Sequence, residues 1–231
     1  MHNDTMVFTG ERFVPEADCD LLGTTEHVER YSFAGKYAQG KVVLDIACGT
    51  GYGSHMLLQA GATTVTAVDI SDEAIQFAAK RYQNERIRFI IGDAENYQHG
   101  HFDLIVSFET LEHLDNRQLF LNNLSSMLND DGMLIISTPN KAITSPLRRP
   151  GNIRNKYHKY EYLEQEFILT LQNAGFNNIQ KYGQHPYPAI FNNQIVSRLF
   201  RRWIKPRVET AHVTAISNRR LPRYFVYIAR K

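Results

Sequence analysis

Eleven residues constrain this chain more than any others: Val43–Gly53, reading VLDIACGTGYG. An apolar run ends in Asp45, and glycines follow at 49, 51 and 53 before a helical pattern begins. Glycines between a strand and a helix let the backbone turn tightly and approach a ligand closely. A dinucleotide site and a plain tight turn both fit such a loop. Asp45 argues against the dinucleotide: its charge repels a pyrophosphate and suits a ligand that carries a cationic amine.

The rest of the chain extends this unit. Apolar runs at 41–47, 64–70, 87–92, 102–108 and 132–138 predict five strands. Helical patterns at 53–60, 72–84, 117–128 and 162–174 fall between and after them, with Ser71 as an N-cap and Gly175 as a helix stop. Strands alternating with helices predict a doubly wound, Rossmann-like α/β sheet, and near-continuous apolar strands fit a sheet covered on both faces. Two further strands at 178–183 and 223–230 complete it, mostly parallel with the last strand antiparallel. The expected organisation is one domain over 1–231: an N-terminal cap (1–40), a ligand-binding core (41–140), and a C-terminal part (141–231). That last part carries a covering loop at 141–160 and an insertion at 184–222.

Two more acids end strands. Asp69 stands 20 residues after Gly49, where a carboxylate holds ribose hydroxyls in nucleotide folds. Asp93, in Gly92-Asp93-Ala94, is placed to accept from an adenine amino group or, more plainly, to cap a turn. Three acids at three successive strand ends face the same ligand-binding edge.

The succession VLDIACGTGYGS, AVDIS, GDAENY, FDLIVSFETLEHL and DGMLIISTPN resembles the class I S-adenosylmethionine-dependent methyltransferases. The resemblance is close over 41–140 and looser beyond. It implies that Asp45, Ala47, Gly49 and Gly51 line the methionine end of S-adenosylmethionine. It places Asp69 and Ile70 at the ribose and adenine, Asp93 and Ala94 at the adenine, and Phe108 beside the sulfonium. TGERFVPE at 9–16 and EHVERYSFA at 26–34 are similar to a bacterial subgroup associated with surface-polysaccharide assembly. That subgroup reads EHxHRYxFA, and this chain has Glu29 at the second histidine. Arg30 and Tyr31 remain candidates for the cofactor carboxylate.

After the fourth strand comes Glu109-Thr110-Leu111-Glu112-His113. On a helical turn the i, i+3, i+4 spacing puts Glu109, Glu112 and His113 on one face. With His158 they form a candidate Mg²⁺ or Mn²⁺ site, or a set of catalytic bases for a hydroxyl nucleophile. The ExxEH run with a downstream histidine resembles the small-RNA 2′-O-methyltransferases and the ubiquinone-biosynthesis O-methyltransferases. The other histidines form no spaced constellation.

Charge is divided unevenly. Residues 1–140 carry 9 basic and 20 acidic side chains, a net of −11; residues 141–231 carry 17 and 4, a net of +13. The basic third suggests a phosphate-bearing acceptor, with Arg148 and Arg149 as clamps and Tyr157, Tyr160 or Tyr187 over a sugar face. The leading expectation is therefore O-methylation of a sugar hydroxyl on a nucleotide-linked, phosphorylated or lipid-linked glycan precursor. The alternatives are N-methylation of an amino sugar or small amine, and an RNA methyltransferase. No RNA-binding module is recognisable and the acidic half repels a long polyanion, so no nucleic acid is expected. A basic amphipathic helix at 193–205 suggests a cap over the site, a peripheral membrane contact or a subunit contact. Cys19 and Cys48 read as free thiols, and the opening residues show no secretory signal; both lead to a cytoplasmic expectation.

Overall fold

The computed structural model describes residues 21–147, 153–200, 206–217 and 220–231. The TGERFVPE motif, Cys19, Arg148, Arg149, Arg201, Arg202, Trp203, Lys205 and Arg219 lie outside them.

Helix α1 (Leu21–Gly35) precedes the core. There follow β1 (Val42–Ile46), α2 (Tyr52–Gln59), β2 (Thr64–Asp69), α3 (Asp72–Arg81), β3 (Ile87–Ile91) and β4 (Phe102–Phe108). A short 3₁₀ turn (Leu111–His113) leads to α4 (Arg117–Met127), β5 (Leu128–Pro139), α5 (Lys141–Thr144) and α6 (Glu164–Asn173). The chain continues through β6 (Asn178–Pro188), α7 (Gln194–Phe200), β7 (Thr214–Ala215) and β8 (Arg220–Arg230). The strands form one eight-stranded sheet, ordered β3-β2-β1-β4-β5-β8-β6-β7. The first five run parallel, and β8 is antiparallel to both β5 and β6. This is the Rossmann-like sheet expected from the alternation of strands and helices.

Local chemistry explains the helix limits. Ser71 accepts the Ala74 N–H at 3.2 Å and opens α3, as its position predicts. Gly175 adopts φ 92° after α6 and closes it. Alternation within β1 then sorts the core. Leu44 and Ile46 join Phe120, Phe167 and Phe225 on one face, while Val43 joins Tyr31, Leu57 and Val226 on the other. Both faces are covered, which is why the strands read as continuous apolar runs.

Three boundaries differ from expectation. The first 40 residues lack a clear period, yet 21–35 form α1, whose buried side includes Glu26 and Arg30. The loop at 141–160 begins with a helical turn, set by Asn140 accepting the Ala142 N–H at 3.0 Å. The insertion is shorter than 184–222, because β6 and β8 stay paired out to Pro188↔Arg220. Pro186, Pro188 and Pro222 hid that extension, since proline lacks a ladder N–H and reads as a strand breaker. No helix among the described residues is long and apolar enough to cross a membrane.

Candidate active site

The strand order reverses between β1 and β4, and ligands bind at the carboxyl ends of strands at such a switch point. A cavity of about 1310 Å³ opens there. Single drug-sized ligands occupy ~300–1,000 Å³, so the space is large enough for two such ligands side by side.

The glycine loop forms one wall, and its glycines serve different ends. Gly49, at φ 55°, has open space where a Cβ would stand and lines the cavity. Gly51, at φ 79°, lies away from the cavity; a Cβ there would meet Ala78 at 2.6 Å and Phe89 at 2.7 Å. Gly53 packs on the Tyr31 ring, whose atoms would lie 2.0–2.3 Å from a Cβ. Asp69 holds the loop, accepting the Gly49 N–H at 2.8 Å and the Ser71 N–H at 2.9 Å. Ala47, Ile70, Asp93, Ala94 and Phe108 line the cavity with Asp69. Asp93 also closes its own turn, accepting the Glu95 N–H at 3.0 Å.

Asp45 sits differently from the position the resemblance implies. Its carboxylate is buried beneath the loop, off the cavity lining, and accepts from Ser54 Oγ at 2.6 Å and Tyr31 Oη at 3.1 Å. Tyr31 lines the cavity while donating to Asp45; Arg30 is buried behind the lining. Its Nη2 lies 3.8 Å from Glu109 Oε1, and its guanidinium stands 4.7 Å from the centre of the Tyr224 ring.

Burial pushes the Asp45 carboxyl up to about 6, against the lowering effect of its two hydroxyl donors. The folded chain therefore holds this proton more tightly than the unfolded chain. Its contribution to stability is fully present below the ordinary Asp value and is lost as pH rises through about 6. The full change is on the order of 2–3 kcal/mol. Urea titrations of the native chain and Asp45→Asn are expected to differ by this pH-dependent amount between about pH 4 and pH 7.5. His27, held by burial and Arg30 at about 3, works in the opposite sense but is common to both chains. A difference independent of pH would refute the assignment.

The ExxEH run does not form one helical face. Glu109 adopts φ 50° before the 3₁₀ turn, and its Oε1 accepts from Ser137 Oγ at 2.7 Å. It lines the cavity beside the histidines but apart from their cluster. Glu112, His113 and His158 do converge, with donor atoms all within 4.8 Å of one another. Glu112 is fully buried, and its backbone carbonyl accepts the Lys159 and Tyr160 N–H groups at 2.8 and 3.1 Å. Those bonds, and His113 Nδ1 at 3.1 Å from the Tyr157 carbonyl, dock the segment that delivers His158. His158 Nδ1 lies 2.8 Å from Glu161 Oε1. Burial raises the Glu161 carboxyl, but hydrogen bonds from His158, Thr144 and Ser145 outweigh it and hold it below its ordinary value. Burial, then the Glu109 charge, pushes the Glu112 carboxyl well above the carboxylate range.

Sequence reasoning gave no site role to His27, Glu161, Phe191 and Tyr224, and counted Arg223 only among the phosphate-matching arginines of the basic third; all five line the cavity. His27 stands in the EHVERYSFA run without an assigned role there, and the others belong to no spaced motif; they arrive from α1, the segment after α5, and the β6–β8 region. His185, read as an ordinary histidine, is buried between Glu26 and Thr210 at 2.7 Å each.

A doubly wound sheet with a glycine loop, strand-end acids and a large cavity at its switch point is the arrangement of a class I methyltransferase fold. The sequence profile of the methyltransferase domain family matches residues 38–202, and the chain belongs to that family. It is 28% identical over 185 residues to a Mycobacterium tuberculosis protein named "Probable S-adenosylmethionine-dependent methyltransferase", covering 80% of this chain and 66% of that one. It is 36% identical over 114 residues to the mitochondrial ubiquinone biosynthesis O-methyltransferase of Schizosaccharomyces pombe, covering 47% and 41%. The chain thus spans just under two thirds of the first of these relatives and less than half of the second. Among solved structures, the fold matches a Mesorhizobium loti S-adenosylmethionine-dependent methyltransferase with a TM-score of 0.63 at 16% identity, over 89% of this chain and all (100%) of that one. It matches the Synechocystis magnesium protoporphyrin IX methyltransferase with bound S-adenosylhomocysteine with a TM-score of 0.59 at 20% identity, over 91% and 83%.

Proposed function

We propose that the chain transfers the methyl group of S-adenosylmethionine to a hydroxyl on a small ring-bearing acceptor. The observation that carries this reading is the Glu112–His113–His158 cluster in the same cavity as the glycine loop and Asp69. A hydroxyl needs a base or a metal to become a good nucleophile, whereas a neutral amine needs less help.

Bound S-adenosylmethionine supplies a sulfonium methyl, whose C–S bond breaks as the acceptor oxygen bonds to carbon and the electron pair returns to sulfur. The Asp69 edge fixes the nucleoside and Phe108 lies beside the reacting centre. His113 stands ready for the acceptor proton, and His158 can take it only by exchanging Asn155, which donates to its Nε2. In each ring Nδ1 faces an acceptor, which leaves Nε2 as the unprotonated nitrogen. Asn155 Nδ2 donates to His158 Nε2 at 2.8 Å in keeping with that tautomer.

The same residues fit a divalent cation. Glu112 Oε1 is buried without a hydrogen-bond partner, and two imidazoles with oriented outer nitrogens stand beside it. Glu112, His113 and His158 would hold the ion, leaving Glu109 outside the ligand set. Mg²⁺ or Mn²⁺ would lower the hydroxyl's pKa.

The acceptor ring is read as a sugar from the N-terminal resemblance, and as a ubiquinone precursor from the name of the Schizosaccharomyces pombe relative. S-adenosylhomocysteine formation should be measured with nucleotide-sugars, catechols and amine counterparts, with and without EDTA. Hydroxyl acceptors are expected to react, with activity lost in chelator and restored by Mg²⁺ or Mn²⁺. Full activity in EDTA would remove the metal and leave the histidines as bases. An amine turned over faster than its hydroxyl counterpart would overturn the hydroxyl reading.

A further inference from the structure

Of the described arginines in the basic C-terminal third, Arg154 and Arg223 line the cavity, and Arg223 is the less exposed of the two. It lies near the start of β8, where its carbonyl accepts the Asn140 N–H at 2.8 Å. Its side chain is largely withdrawn from solvent and lines the cavity. The guanidinium lies 5.5 Å from the centre of the Tyr224 ring, and its charge interacts with the Tyr187 and Tyr224 phenols. Its Nε is buried with no hydrogen-bond partner. Among the described residues no carboxylate stands within ion-pair distance of it. Glu26, whose charge it feels, is engaged by His185 at 2.7 Å.

A cation that is withdrawn from water, partnered only by neutral phenols and left with an open donor is costly to keep. The cost is offset when a ligand brings the missing negative charge. Guanidinium presents its donors as a planar fork that matches the two oxygens of a carboxylate or a phosphate. The surroundings describe the rest of such a ligand. Tyr187 and Phe191, with ring centroids 6.0 Å apart, Tyr224 and Ile143 make an aromatic and apolar wall around the charge. By contrast, Arg198 and Arg207 are exposed and off the cavity lining.

We propose that Arg223 is the anion subsite of the acceptor pocket, so that the acceptor carries a carboxylate or phosphate beside its ring. The assignment rests on the methyl-transfer reading only in calling the ligand an acceptor; the subsite itself is defined by anion binding.

The experiment is isothermal titration of the full chain with benzoate and with inorganic phosphate, in saturating S-adenosylhomocysteine. The variants are Arg223→Gln, Arg223→Lys and, as a charge-matched control, Arg198→Gln. Binding of either probe is expected to weaken at least tenfold in Arg223→Gln, less in Arg223→Lys, and not at all in Arg198→Gln. Preference for benzoate assigns a carboxylate, and preference for phosphate a phosphoryl group. Circular dichroism and S-adenosylhomocysteine affinity report whether each variant is folded; if Arg223→Gln is not, Arg223→Lys carries the test, with weakened binding expected. Absence of binding by both probes, equal affinity in the native and folded Arg223 variants, or equal loss in Arg198→Gln overturns the proposal. Methyl transfer is not the readout, so failure to find a turned-over acceptor leaves this result standing separately.

Discussion

Replacing His113 with alanine is expected to lower kcat by about 10²–10⁴-fold, the range that a positioned proton acceptor supplies. The affinity for S-adenosylmethionine should stay nearly unchanged, because in the proposed arrangement the Asp69 edge and the glycine loop, at the ends of β2 and β1, would hold that ligand. The imidazole also has a structural bond, from Nδ1 to the Tyr157 carbonyl at 3.1 Å. His113→Asn separates the two roles, since its amide N–H can serve that carbonyl while offering no nitrogen base at the Nε2 position. Single-turnover rates should fall for both variants. Recovery of the native rate in His113→Asn would reduce the residue to a tether for the segment carrying His158.

The second large effect is expected at Gly53. A methyl there would lie 2.0–2.3 Å from Tyr31 ring atoms, a separation that neither backbone nor ring can tolerate. Tyr31 is buried against Phe108 and Tyr52, with ring centroids 5.0 and 5.3 Å away, so it cannot swing aside freely. Gly53→Ala should lose about 1–3 kcal/mol of unfolding free energy, the usual cost of overpacking. It should also weaken cofactor binding, because the displaced ring withdraws its hydroxyl from Asp45. The coupling is measurable. Tyr31→Ala alone should be destabilising, yet Gly53→Ala in that background should cost little more. Additive losses in the double variant would place the strain elsewhere.

These two sites show what was legible in the sequence and what was not. The sheet could be read because each strand is an apolar run with its own punctuation, and local pattern determines local structure there. Asp69 was legible for the same reason: its place is set by the strand it ends. Gly51 and Gly53 were legible as glycines but not in their purpose. One answers to Ala78 and Phe89, the other to Tyr31, and no spacing reveals a neighbour 22 or more residues away. Glu109 was grouped with Glu112 and His113 on the assumption of a helix, and its left-handed backbone breaks that geometry. His158 was found by residue type and position after β5, but its register depends on Lys159 and Tyr160 reaching the Glu112 carbonyl. Tyr224 looked like an ordinary strand residue, and Arg223 was one arginine among many in the basic third. Their part in the cavity follows from β8 running antiparallel beside β5, which brings its first residues to the edge where the parallel strands end.

The bonds from β6 to α1 bear on how such a pocket comes into being. Gln184 Nε2 donates to the Glu26 carbonyl at 2.9 Å and His185 Nε2 lies 2.7 Å from the Glu26 carboxylate, spanning 158 and 159 residues of chain. Closing loops of that length is slow, and a chain grows from its N-terminus. The glycine loop and Asp69 leave the ribosome long before β6 and β8. A half-made molecule therefore has the glycine loop and Asp69 but neither the aromatic wall nor Arg223. The pocket is complete only once β6 and β8 have been made and Gln184 and His185 have reached Glu26 in α1.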